Sequence, residues 1–101
     1  MKLISNIPAT KLLQAKLDPT DKVIFFALAW SPTPDDKSLI AIDQKGTVYL
    51  IDYNKRKIIT QVDKGQGKFA LNSVSWNTHD PNLFLVSSMD CNCYLFSISA
   101  D

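Results

Sequence analysis

Ala27-Leu28-Ala29-Trp30-Ser31-Pro32, a polar gap from Thr33 to Lys37, and then Ser38-Leu39-Ile40-Ala41-Ile42-Asp43 form the stretch that decides the fold, because the chain repeats it. The second copy reads Ser73-Val74-Ser75-Trp76-Asn77, a gap from Thr78 to Asn82, and Leu83-Phe84-Leu85-Val86-Ser87-Ser88-Met89-Asp90. In each copy an aspartate opens a short turn, Asp43-Gln44-Lys45-Gly46 or Asp90-Cys91-Asn92. Another apolar run follows, Thr47 to Asp52 or Cys93 to Ile98. Trp30 and Trp76 stand 46 residues apart. A fixed period of that size marks a stacked-repeat architecture, in which each unit buries its faces against its neighbours.

The local chemistry predicts strands. The apolar runs are short, rich in Val, Ile, Tyr, Phe and Thr, and bounded by Gly, Pro, Asn and Asp. Thr47-Val48-Tyr49-Leu50-Ile51 is apolar at nearly every position, as expected of a strand covered on both faces. After a turn at Tyr53-Asn54-Lys55-Arg56, the run from Lys57 to Val62 carries more polar residues. It suits an outer edge strand, where polar side chains discourage stray pairing.

Bulk properties set limits on class and partners. A chain of 101 residues is about one small domain, and 46% hydrophobic with 21% charged residues lies outside the signature of disorder. Eleven basic and ten acidic residues leave a net charge of +1, so no global field draws in a nucleic acid or an anionic membrane. The strongest apolar stretch, Val23 to Trp30, is far short of the roughly 20 residues a membrane helix needs, and Met1 to Pro8 lacks the apolar core of a signal peptide. The expectation is an intracellular protein, cytoplasmic or nuclear, with no membrane contact.

Cys91 and Cys93 are separated by one residue, too close for a disulfide that staples anything, and read as free thiols in a reducing compartment. With His79 as the single histidine, the C-x-C pair falls short of the usual four metal ligands. No metal and no cofactor is expected.

The repeated pattern resembles the WD40 repeat family over about three quarters of the chain. The residues that carry the resemblance are Ala29-Trp30-Ser31-Pro32, the Leu39-Ile40-Ala41 strand, the run from Asp43 through Gly46 to Asp52, and their second copy. The resemblance implies an all-β fold: two four-stranded antiparallel blades of a WD40-type β-propeller, an incomplete propeller. Residues 1–22 form an N-terminal segment, with Lys11 to Leu17 read as an outer strand of a neighbouring or closing blade, although its apolar positions also fit a helix. Residues 23–64 form the first repeat, and 65–101 the second, which lacks its outer strand because the chain stops at Asp101.

The departures are specific. Ile51-Asp52 and Phe96-Ser97 stand where the family has its Trp-Asp pair, and no Gly-His precedes either repeat. The resemblance implies that Trp30 and Trp76 pack between blades and that Asp43 and Asp90 cap the turns between second and third strands through backbone amides. Two blades leave apolar faces uncovered, so self-association or assembly with further blades is expected.

No catalytic constellation stands out. His79 lies in the turn-forming segment Thr78-His79-Asp80-Pro81-Asn82, and Gly65-Gln66-Gly67-Lys68 lacks the full phosphate-loop pattern and leads into a strand. The reading is a noncatalytic protein–protein interaction scaffold; a fragment of a propeller-type hydrolase or a subunit of an RNA-associated complex is the alternative. The resemblance implies that partners meet the loops at one rim or the central opening. That rim singles out Lys45, Lys64, Gln66, Lys68 and Asn92 as the partner-binding set, with Trp30, Asp43, Trp76 and Asp90 structural.

Overall fold

Short β-rich runs separated by tight turns leave each strand one favourable option, which is to pair with the next strand antiparallel. The computed structural model, which describes residues 1–4, 6, 24–63 and 69–99, shows that arrangement twice. Strands β1 (Phe25–Trp30), β2 (Ser38–Asp43), β3 (Thr47–Asp52) and β4 (Lys57–Asp63) form a four-stranded antiparallel sheet in sequence order. Strands β5 (Leu71–Trp76), β6 (Leu83–Ser88) and β7 (Cys93–Ser97) form a three-stranded sheet in the same order. The described chain is all-β, two blades of an incomplete propeller.

The registers show how closely the second blade copies the first. The pairing of β1 with β2 shifts between Phe25 and Ala27, and that of β5 with β6 shifts between Leu71 and Ser73. Phe26 and Asn72 are thus bulges at the same place. Leu39 opposes Trp30 and Ile51, just as Phe84 opposes Trp76 and Phe96. At one end of each blade, the Tyr53 amide donates to the Lys37 carbonyl at 2.9 Å, and the Ile98 amide donates to that of Asn82 at 2.8 Å.

The innermost strands of the two blades pack together, β5 lying against β1 and β2. Between the sheets sits a core of Ile40, Ile42 and Val48 from the first blade and Leu71, Trp76, Phe84 and Val86 from the second. Each of these is at most 8% exposed, so this contact supplies much of the hydrophobic stabilisation. On its other face the first blade holds a second cluster, Ala41, Tyr49 and Ile51, against Phe25, Leu39 and Ile58. β4 carries the exposed edge of this sheet, with every residue but Ile58 exposed.

Two sequence expectations change. Trp30 does not pack between the blades: it is 57% exposed, because it points to the face of the first sheet opposite the second blade. Only Trp76 is core, at 8% exposed, its indole Nε1 donating to the Pro81 carbonyl at 2.6 Å. The aspartate of the second turn is displaced as well. Strand β6 ends at Ser88, which opposes Leu71 as Asp43 opposes Phe25, so Ser88 holds the position of Asp43 and Asp90 lies two residues further on. The proposed strand from Lys11 to Leu17 lies outside the described residues.

Candidate interaction surface

The two ends of the blades are built by different turns. At one rim lie the β2–β3 and β6–β7 turns and the starts of β1 and β5. There the Ile24 amide donates to the Gln44 side chain at 2.8 Å, and the Met89 amide donates to the Ala70 carbonyl at 2.9 Å. Each turn is tied to the start of the innermost strand of its own blade.

Aspartates shape both turns. In the first, Asp43 Oδ1 accepts the Thr47 amide at 2.8 Å and the Lys45 amide at 3.0 Å, while Oδ2 accepts the Tyr49 hydroxyl at 2.8 Å. Asp43 is 1% exposed and has a full set of donors, so its burial carries no unpaired oxygen. Burial, then the hydrogen bond to Asp43, push the Tyr49 hydroxyl well above its ordinary pKa. In the second turn Asp90 Oδ1 accepts the Asn92 amide at 3.0 Å and Oδ2 accepts the Tyr94 hydroxyl. The Tyr94 bond holds the Asp90 carboxyl below its usual range, and the same bond raises the Tyr94 hydroxyl.

Of the five residues assigned from sequence to partner contact, Lys45 and Asn92 fall in these two turns, on the same rim. Lys45 is half-buried and Asn92 exposed. Lys64, Gln66 and Lys68 lie outside the described residues, in the connection between β4 and β5.

The opposite end carries a cleft that sequence reading did not find. The β1–β2 loop and the β3–β4 turn enclose an open recess of about 500 Å³ lined by Trp30, Asp35, Asp36, Lys37 and Tyr53 among others. Trp30 meets Tyr53 edge-on, ring centroids 5.2 Å apart. Asp36 fixes the loop, accepting the Ser31 hydroxyl at 2.9 Å and the Ser38 amide at 3.0 Å, and these bonds hold its carboxyl below the usual range. The available sequence signal was the pair of prolines, Pro32 and Pro34, which stiffen the loop beside an aromatic residue.

The open face of the second blade is the remaining surface. Leu85 and Leu95 oppose each other across β6 and β7, 44% and 65% exposed, and a shallow recess of about 210 Å³ beside them is lined by Ser75, Asn77, Leu83 and Phe84. The Ser73 and Ser87 hydroxyls lie 2.7 Å apart in a hydrogen bond between β5 and β6. Cys91, Cys93 and His79 are exposed. Among the described residues no group of three His, Cys, Asp or Glu side chains could hold a metal, and no helix is long and apolar enough to cross a membrane.

Comparison with solved structures agrees with the two-blade architecture. The β-propeller domain of Cps50 (Swd1) from Myceliophteria thermophila superposes with a TM-score of 0.63 and 22% identity, over 75% of this chain and 23% of that one. A chain of the Chaetomium thermophilum Polycomb Repressive Complex 2, solved bound to GSK126, gives a TM-score of 0.66 and 17% identity, over 80% of this chain and 18% of that one. A chain of ctPRC2 in complex with H3K27me3 and H3K27M gives 0.65 at 17% identity, over 81% and 17%. The present chain thus spans less than a quarter of the length of each. No protein-family model and no curated protein matches the sequence. The fold is that of WD40-type propeller blades.

Proposed function

We propose that the chain is a noncatalytic protein–protein interaction scaffold, a WD40-type propeller fragment or subunit of a larger intracellular complex. The observation that carries this reading is the rim itself. Two equivalent turns, each braced by an aspartate–tyrosine pair, present Lys45 and Asn92 on one side of a stacked pair of sheets. Loops held by a rigid scaffold are where binding residues concentrate. The likeness in fold to a propeller domain and to chains of a repressive complex supports the same reading.

Partner contact is assigned to Lys45, Lys64, Gln66, Lys68 and Asn92. The experiment is affinity capture with the purified chain, followed by titration of the captured protein against the five-alanine variant. The expected outcome is at least a tenfold loss of affinity with the thermal midpoint unchanged. A variant that binds like the parent removes the rim from the interface, and turnover lost in His79→Ala would replace the scaffold by an enzyme.

A further inference from the structure

The contact between the two blades is a worked example of how this sequence packs one blade on the next, and among the described residues both halves of that contact recur on exposed faces. In the internal contact the second blade contributes Val74 and Trp76, and the first blade contributes Ile40, packed with Leu50. Register equivalence places Leu28 and Trp30 of the first blade where the second has Val74 and Trp76. It places Leu85 and Leu95 of the second blade where the first has Ile40 and Leu50.

All four of these outward counterparts are exposed: Leu28 at 61%, Trp30 at 57%, Leu85 at 44% and Leu95 at 65%. Leu85 and Leu95 border the 210 Å³ recess on the second blade, and their equivalents on the first, Ile40 and Leu50, belong to the same core cluster as Trp76. We infer that a second copy of this chain docks head to tail, its Leu28–Trp30 surface on the Leu85–Leu95 surface of the first copy.

This inference rests on the scaffold reading and names one partner for it. A contact between two different patches is heterologous, so it propagates until a ring closes or a filament grows. The serines around Leu85 and Leu95, Ser73, Ser75 and Ser87, stand where the first blade has Ala27, Ala29 and Ile42. They make the external contact less apolar than the internal one, so association depends on concentration.

The test uses the 101-residue chain and two single-face variants, Leu28→Arg and Leu95→Arg, both at exposed positions so that the fold tolerates them. Light scattering over a concentration series should show the parent growing beyond a monomer. Each variant alone should move the association midpoint at least tenfold upward. An equimolar mixture of the two variants should recover a 1:1 dimer and stop there, because one intact pair of faces remains. Leu28→Ser and Leu95→Ser repeat the test should circular dichroism show either arginine variant unfolded. A parent chain that is monomeric throughout overturns the inference, and so does a mixture that fails to recombine. Neither result touches partner capture at the rim, which the five-alanine variant tests separately.

Discussion

The Tyr49 hydroxyl donates to Asp43 Oδ2 at 2.8 Å, across a buried turn in which the other carboxylate oxygen already takes two backbone amides. Removing the carboxylate strands three donors, whereas removing the hydroxyl strands none and leaves the carboxylate two bonds. Asp43→Ala is therefore expected to cost about 2–4 kcal/mol and Tyr49→Phe about 1–2 kcal/mol, read by urea denaturation. The fold raises the Tyr49 pKa above its value of 10.0 in the unfolded chain. The stability linked to this group is fully present below pH 10.0 and is lost as pH rises through the folded value. Tyr49→Phe should flatten the alkaline limb of the stability profile; an unchanged limb would assign it to other groups.

The two tryptophans separate sharply by environment. Trp76 is in the core between blades and hydrogen-bonded through Nε1, whereas Trp30 is more than half exposed beside Tyr53. Trp76→Ala leaves a large cavity and should lower the unfolding free energy by about 3–5 kcal/mol. Trp30→Ala should cost under about 1 kcal/mol in the monomer, since surface substitutions seldom cost more. Chemical denaturation of both variants, at a concentration where the chain is monomeric, decides it. Equal costs would mean that Trp30 is covered in solution.

Gly46 and Cys91 occupy the same turn position, each amide donating to the residue that ends the second strand of its blade, Asp43 or Ser88. Both have positive φ, 87° for Gly46 and 71° for Cys91. A side chain at Cβ opposes that conformation by roughly 1–2 kcal/mol, so Cys91 is strained where Gly46 is not. Cys91→Gly should raise stability by about 0.5–1 kcal/mol, and Gly46→Ala should lower it by about 1 kcal/mol or more. Thermal unfolding of the pair checks the sign. A destabilising Cys91→Gly would show that the thiol makes a contact worth more than the strain.

How much of this was legible in the sequence follows from the kind of signal each feature leaves. Strand pairing was legible because apolar runs and turn residues recur at a 46-residue spacing, and the edge character of β4 followed from its polar residues. Which tryptophan is buried was not legible. Trp30 and Trp76 sit at one repeat position, and their burial depends on which sheet face has a neighbour, a property of assembly that leaves no local mark. The Asp90 alignment failed for a related reason. An aspartate two residues later in the turn still reaches the equivalent tyrosine, Tyr94, so chemistry is kept while register shifts. The cleft at Trp30 joins a loop to a turn about twenty residues away, and nothing in either segment announces the other.

Asp36 tests whether the cleft is a preformed structure. Its carboxylate ties Ser31 to Ser38 across the β1–β2 loop, and those bonds hold the pKa below 3.8. A depressed carboxyl contributes stability above the unfolded value that is lost as pH falls through the folded one, here on the acid side of pH 3.8. The group is almost fully exposed, so solvent screens the contribution and the acid limb should change only slightly in Asp36→Ala. Order near Trp30 should change more, because the loop that walls its side of the cleft loses both ties. In a background where Trp76 is replaced by Phe, the Trp30 emission of Asp36→Ala should shift to longer wavelength and quench more readily with iodide. An emission identical to the parent's would mean that the prolines at 32 and 34, and not the carboxylate, hold the cleft open.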